Sequence, residues 1–198
     1  MVDYFENILD VVDGAVRSID EKQFDVLVKH CTECVRSGGK IIATGLGKNV
    51  PICEKFVGTM NSLGLDARFL HTNTAVHGDL GMVRKNDIVL MLSKGGRTEE
   101  SVKLANYLLE RGTETWLIGF YNDSDLAKRL DYKLIMHLEN EGDKWDIIPN
   151  NSTTVYLIVL QGLALQISDR LNVTLDEFKQ NHPGGGIGAK LRGEELPL

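Results

Sequence analysis

The chain has 198 residues, of which 42% are hydrophobic and 25% charged, and its formal net charge is -6 at pH 7. This length and composition allow a single domain, residues 1–198, to bury its own core, which excludes a disordered chain. Nucleic acids and anionic membranes attract basic surfaces, so the acidic balance argues against both as partners. Any anion that binds here must be held by a local site.

The chain begins without the features of an export signal. Its first ten residues, MVDYFENILD, have neither the basic nor the apolar region of a signal peptide, so we expect a cytoplasmic protein. Ser18 with Glu21 predicts a capping box that opens a second helix ending near Gly38 and Gly39. Residues 1–39 are therefore predicted to form two helices, the first from apolar residues at helical spacing: Phe5, Ile8, Leu9, Val12, Val16 and Ile19.

Cys31 and Cys34 form a C-x-x-C spacing within the second predicted helix. They also continue an apolar stripe, and no strand precedes them, so we interpret them as core positions rather than as a redox pair. The odd total of 3 cysteines argues against a disulfide framework. Because no second Cys or His pair follows at metal-binding spacing, we predict no metal site.

From residue 40 onward the apolar pattern changes from helical to strand-like. Short apolar runs predict five strands, at 41–44, 67–70, 88–92, 115–120 and 133–137, and helical patterns lie between them at 50–63, 98–111 and 124–130. A buried helix is predicted at 152–171, since its apolar run at 155–167 is shorter than the roughly 20 residues that span a membrane. A short helix follows at 174–180. Strands that alternate with helices predict an α/β fold with a parallel sheet covered on both faces.

Ligands of such sheets bind at the carboxyl ends of the strands, where the strand order reverses. The first strand is followed by Gly45, Gly47, Lys48 and Asn49. The glycines permit close backbone approach, and Asn49 is a suitable N-cap for a helix whose N–H groups suit a phosphate or a sugar hydroxyl. An ordinary strand-to-helix turn explains the segment equally well. It matches no dinucleotide or nucleoside triphosphate motif.

A second turn of this kind follows the third strand. It offers hydroxyls, glycines and two cations at a helix start, which a monophosphate requires: Ser93, Lys94, Gly95, Gly96, Arg97 and Thr98. The competing interpretation is that Thr98 only caps the helix, while Glu99 and Glu100 complement its dipole. A third hydroxyl-rich start contains Ser152 and Thr153.

Two histidines lie in glycine-containing loops. His77 belongs to the segment HGDLG, and His182 belongs to HPGGG. A loop histidine is more often a surface residue than a catalyst, so each by itself is weak evidence. We interpret His30 and His137 as such surface residues.

Together these segments resemble the sugar isomerase (SIS) domain family, and within it the arabinose-5-phosphate isomerase group. The resemblance covers roughly residues 41–191, and its most specific elements are the HGDLG and HPGG segments in this order. It implies a doubly wound, flavodoxin-like three-layer α/β sandwich with a five-stranded parallel sheet. It also implies a homotetrameric aldose–ketose isomerase of a phosphorylated sugar, with no metal or organic cofactor. The catalytic residues carried over by position are Lys48, His77, Glu100, Glu141 and His182.

This set of residues is chemically reasonable for an isomerase. Moving a proton between C1 and C2 through an enediol needs a base near the carbons and a donor at the oxygens. Imidazoles and carboxylates serve at neutral pH when their surroundings tune them, and Lys48 can neutralise oxyanion charge. The carbon base stays undecided, with His77 and Glu100 favoured.

The chain departs from the family pattern at both loops. Asn49 stands where a serine is usual, Gly95 removes a phosphate-loop hydroxyl, and Lys94 and Arg97 add two cations. These changes leave the reaction class but weaken the assignment of arabinose 5-phosphate. A non-catalytic phosphosugar sensor and an isomerase of another ketose phosphate are the alternatives. Since similar proteins often continue into CBS domains and this sequence ends at Leu198, we expect a bare isomerase domain.

Overall fold

The computed structural model describes residues 2–194. Its five strands are β1 (Ile41–Gly45), β2 (Ala67–His71), β3 (Ile88–Ser93), β4 (Glu114–Gly119) and β5 (Tyr132–Ile135). The helices are α1 (Val2–Arg17), α2 (Glu21–Arg36), α3 (Asn49–Ser62), α4 (Glu99–Glu110), α5 (Asp125–Arg129), α6 (Asn151–Leu171), α7 (Leu175–Gln180) and α8 (Gly185–Leu191). All the predicted elements are present with shifts of one or two residues at their ends. The short helix α8 and two 3-10 helices, Ala75–His77 and Asp79–Met82, were not predicted.

The strands form one parallel sheet in the order β2-β1-β3-β4-β5. The chain runs outward from β1 to β2 and then crosses back to β3 on the other side of β1. The strand order therefore reverses between β1 and β3. In the register, Gly45 lies opposite Leu92, and Ser93 lies opposite Gly119. The doubly wound α/β class is confirmed.

Helices cover both faces of the sheet. Successive strand residues point to opposite faces, and those on each face are buried against helices. Along β1, Ile41 and Ala43 join a core with α1, α2, α3 and α6, whereas Ile42 joins a second core with α4 and α5. Fully buried Phe56 and Leu104 represent the two cores. The sheet is therefore the middle layer of three.

Helix α6 is the longest helix of the described chain, and it packs against α1, α2 and α3. Val155, Leu163 and Ile167 are buried, which confirms the predicted buried helix. In residues 2–194 no helix combines the length and the apolar character needed to cross a bilayer.

The predicted capping box at the start of α2 is wrong. Asp20 caps the helix, because its carboxylate accepts two main-chain N–H groups of the first turn. The Ser18 hydroxyl, paired with Glu21 in the prediction, instead donates to the carbonyl of Ala15 and accepts the N–H of His137. Ser18 directly follows α1 and precedes the capping position, which Asp20 occupies, so it cannot cap α2.

The interpretation of Cys31 and Cys34 as core positions is confirmed. Both are buried free thiols, and Cys34 donates to the carbonyl oxygen of Asn86. His30, in contrast, is not a simple surface residue. Its ring lies 2.8 Å from the carboxylate of Glu114 and packs edge-on against Trp116.

Candidate active site

The first loop of the site follows β1 at the reversal of strand order. A Cβ at Gly45 would lie 2.8 Å from that of Asn49, so only glycine lets the helix start so close to the strand. Asn49 is the first residue of α3 rather than its N-cap, and this prediction is wrong. Its amide instead donates to the carbonyl of Leu92 at the end of β3. Lys48 precedes the helix with an exposed side chain, and Gly47 has a φ of 57°.

The second loop follows β3, and its own hydrogen bonds fix its shape. The buried Ser93 hydroxyl accepts the N–H of Gly96 at 3.2 Å. Gly96 has a φ of 61°, and a Cβ there would lie 2.3 Å from the hydroxyl of Ser124. The loop is therefore packed directly against the start of α5.

Main-chain donors of this loop are open to a ligand. Thr98 precedes α4 as predicted, but its side chain makes no capping hydrogen bond. Within residues 2–194, the N–H groups of Gly95, Arg97 and Thr98 have no hydrogen-bond acceptor. These N–H groups and the α4 dipole favour an anion at this position.

The two cations of the second loop have different partners. Arg97 reaches Asp123 at 3.0 Å on the surface and lies over the Tyr121 ring. Lys94, the first residue after β3, contacts the Glu141 carboxylate at 2.7 Å instead. Both cations are thus paired with carboxylates from loops that follow later strands.

Glu141 is fully buried at the start of α6. One carboxylate oxygen accepts the main-chain N–H groups of Asn150 and Ser152, at 3.1 and 2.9 Å. The other accepts the Ser152 hydroxyl at 2.7 Å and contacts the Lys94 ammonium. A negative charge at a helix N-terminus is favoured by the helix dipole and by these donors. Glu141 is therefore an anchor between β5 and α6.

The segment between Glu141 and α6 is held by aspartates that sequence reasoning did not single out. Asp146, at a φ of 54°, accepts the N–H of Glu141 at 2.6 Å, and Asp143 accepts three further main-chain N–H groups. The ring of Tyr156, on α6, is buried, and its hydroxyl has no hydrogen-bond partner among the described residues. Burial raises the pKa of Tyr156, and the negative charge of Glu141 raises it further. Neither Asp143 nor Asp146 belongs to a sequence motif that would have predicted these hydrogen bonds.

The hydroxyl-rich start of α6 uses its hydroxyls within the protein. Ser152 donates to Glu141, and the Thr153 hydroxyl lies 2.8 Å from the carbonyl oxygen of Asn150 and 3.1 Å from that of Pro149. Both residues were predicted to bind substrate. Ser152 is also buried, so only the half-buried Thr153 hydroxyl oxygen can still accept a hydrogen bond from a ligand.

His77 lies on an exposed loop after β2. The Thr74 hydroxyl donates to Asp79 at 2.7 Å and closes the loop around it. Glu100 is exposed in the first turn of α4. The side chains of Lys48, His77 and Glu100 make no hydrogen bond or ion pair with any residue in 2–194. They are free to contact a ligand.

Four of the five expected catalytic residues lie on the same side of the sheet, where the strands have their carboxyl ends. Lys48, His77, Glu100 and Glu141 all follow the carboxyl ends of strands or start the next helix. The two glycine loops follow β1 and β3, so they flank the point where the strand order reverses, as the rule for such sheets requires.

His182 lies at the opposite edge. Helix α6 starts beside Glu141 and carries the chain about 30 Å away over its 21 residues. Asn181 then donates to the carbonyl of Ser62, at the far end of α3. The His182 ring stacks on Phe178 with centroids 4.0 Å apart, and its Nδ1 lies 2.9 Å from the Phe178 carbonyl oxygen. One subunit therefore does not bring His182 to the other four.

Among the described residues, no group of three or more His, Cys, Asp or Glu side chains is placed to hold a metal ion. The polar groups at the carboxyl edge are instead suited to binding an anion and moving protons.

Sequence comparison identifies the family. A family model for the SIS domain matches residues 35–166, which is well over half of the chain. The chain belongs to the SIS-domain family. The resemblance drawn from its motifs is thus confirmed.

This SIS protein is similar to several arabinose 5-phosphate isomerases. It is 32% identical over 177 residues to KdsD of Pseudomonas aeruginosa, covering 89% of this chain and 54% of that protein. It is 30% identical over 175 residues to KpsF of Escherichia coli, covering 88% of this chain and 53% of that protein. The chain spans about half the length of these relatives.

One solved relative matches almost the whole fold. The Escherichia coli CFT073 protein c3406, in complex with arabinose 5-phosphate, is 32% identical with a TM-score of 0.85. The match covers 91% of this chain and 94% of that one. The fold and the family are therefore established by both sequence and structure.

Proposed function

We propose that this protein is an aldose–ketose isomerase of a phosphorylated sugar, with D-arabinose 5-phosphate to D-ribulose 5-phosphate as the first reaction to test. The observation that carries the proposal is that Lys48, His77 and Glu100 lie on the carboxyl side of the sheet, as do the open N–H groups of the second loop. The named activities of KdsD and KpsF, and the arabinose 5-phosphate bound to c3406, support the substrate class.

The reaction needs only proton transfers. A base removes the proton on C2 of the aldose and leaves an enediol, and the proton is then delivered to C1. A second proton moves from the C2 oxygen to the C1 oxygen, so that all atoms balance. His77 and Glu100 are the candidates for these transfers, because both side chains are exposed and unpaired in the described chain. The Lys48 ammonium stabilises the negative charge that develops on the oxygens.

The phosphate is assigned to the second loop. The unpaired N–H groups of Gly95, Arg97 and Thr98 are the donors that a phosphate needs, and α4 adds the positive end of its dipole. Loss of a hydroxyl at Gly95 does not remove this donor set, since main-chain N–H groups need no side chain.

We assign His182 to a site on another subunit of a homo-oligomer, taken as a tetramer. The separation of His182 from the other four residues supports this assignment. His182 can join those four residues only where the His182 side of one subunit contacts the carboxyl side of the sheet in another. The proposed unit of activity is residues 1–198 as one domain within that assembly.

Proton NMR in deuterated water tests the proposal. The protein is incubated with a panel of pentose and hexose phosphates, and arabinose 5-phosphate is expected to lose its C2 proton signal as ribulose 5-phosphate appears. If the C2 proton exchanges only in another sugar phosphate, that compound is the substrate and the isomerase reaction stands. Thermal stabilisation by a sugar phosphate without exchange would favour a phosphosugar sensor and overturn the enzyme assignment.

A further inference from the structure

The Lys94 and Glu141 pair differs from an ordinary surface salt bridge. The Glu141 side chain is fully buried, whereas that of Lys94 is 32% exposed. The buried carboxylate therefore fixes the position of an ammonium group that still faces solvent.

Glu141 has almost no remaining capacity to accept a proton from a substrate. A carboxylate has about four lone-pair sites, and here each oxygen has two donors. These are the N–H groups of Asn150 and Ser152, the Ser152 hydroxyl and the Lys94 ammonium. A base must also reach the substrate, and this side chain has no exposed surface.

Lys94 has the opposite character. An ammonium group has three N–H donors, and one contact to Glu141 leaves two for a ligand. Lys94 directly precedes Gly95, whose open N–H begins the phosphate donor set of the second loop. The other cation of this loop, Arg97, is directed outward to Asp123. Lys94 is thus the loop cation that is anchored inside the fold.

We propose that Lys94 binds the phosphate group of the substrate and that Glu141 is its positioning residue. The proposal deepens the proposed function and rests on its assignment of the phosphate to the second loop. The ammonium bridges the buried carboxylate and two phosphate oxygens, and it supplies the contact that a hydroxyl at position 95 would otherwise make. Glu141 then acts through Lys94 and takes no proton.

Phosphate binding by variants tests the proposal directly. Calorimetric titration with inorganic phosphate and with arabinose 5-phosphate gives the dissociation constant without any need for turnover. Lys94→Met is expected to weaken both by about 10- to 100-fold, the range for one hydrogen bond to a charged group. Lys103→Met, which removes an exposed lysine of α4, is the matched control and should leave both constants unchanged. Equal constants for Lys94→Met and the wild type would overturn the proposal, as would a wild type that binds neither compound.

The role of Glu141 is tested by kinetics. Glu141→Gln should raise KM as Lys94→Met does while kcat stays within about threefold, because uniform binding is lost and no proton transfer is removed. The Lys94→Met/Glu141→Gln double variant should have the same KM and kcat as Lys94→Met alone, since both changes remove the same interaction between Lys94 and Glu141. Lys94→Met alone leaves the buried Glu141 carboxylate without its cation, whereas the double variant leaves no buried charge unpaired, so it provides the phosphate-binding measurement if Lys94→Met fails to fold. A further loss of kcat of about 100-fold in the double variant would identify Glu141 as a catalytic residue and overturn its positioning role.

The two proposals can fail separately. A wild type that binds phosphate through Lys94 but exchanges no proton would overturn the isomerase function and keep this inference. An active wild type whose phosphate affinity is unchanged by Lys94→Met would overturn this inference and keep the isomerase function.

Discussion

The side-chain amide of Asn49 donates a hydrogen bond of 3.2 Å to the main-chain carbonyl of Leu92. This bond joins the start of α3 to the end of β3 across the point where the strand order reverses. It therefore holds the two proposed substrate loops at a fixed distance from each other.

Asn49→Ala should lower the free energy of unfolding by about 1 kcal/mol, the usual contribution of one hydrogen bond. It should also lower kcat/KM, because the loop that carries Lys48 loses its attachment to β3. Urea unfolding and steady-state kinetics measure the two effects. Asn61→Ala, on the exposed face of the same helix, is the control and should change stability by no more than about 0.5 kcal/mol. Matching results for the two variants would show that the bond contributes nothing.

His77→Ala and Glu100→Gln should each lower kcat by about 10²- to 10⁴-fold, because each removes a group proposed to transfer protons. Both side chains are exposed and make no contact that supports the fold, so the unfolding curves should stay close to that of the wild type. The exposed His137 at the end of β5 provides the control variant His137→Ala, which should retain full activity. Full turnover in both active-site variants would rule out the mechanism.

Mixing of inactive variants tests the assignment of His182 to a second subunit. His182→Ala and His77→Ala proteins, unfolded and refolded together, should regain about a quarter of the wild-type activity, because random assembly combines intact edges from different copies. A mixture of His77→Ala with Glu100→Gln should regain none, since both residues belong to the same edge of one subunit. Absence of recovery in the first mixture would overturn the assignment of His182 to a second subunit.

The three cysteines should resist thiol reagents in the folded protein. Burial raises the pKa of Cys34 to about 11 and that of Cys53 to about 12, and burial also raises the pKa of Cys31. At a pH of about 8 each thiol stays protonated, and the protonated form is not the nucleophile. Titration with an aromatic disulfide reagent should detect none of the 3 thiols before guanidinium is added and all of them afterwards. Rapid reaction of one thiol in the native protein would contradict the core placement.

The sequence by itself was sufficient for the architecture. Apolar runs near 41–44 and 88–92, the helical spacing of 152–171 and the glycines at 45 and 96 are local signals, and local sterics and burial decide what they form. Parallel pairing then follows from the alternation of strands and helices. The loops at the carboxyl ends could be located in the same way.

Only the tertiary structure decided which of the site residues meet. Lys94 and Glu141 are distant in sequence, and no periodicity predicts that the ammonium of one reaches the buried carboxylate of the other. The same holds for Asn49, which was expected to cap α3 and instead bonds to Leu92. The resemblance grouped His182 with the other catalytic candidates, but α6 carries the chain to the opposite side of the same subunit. Side-chain partners are chosen by which elements pack together, and that packing depends on the whole core rather than on neighbouring residues.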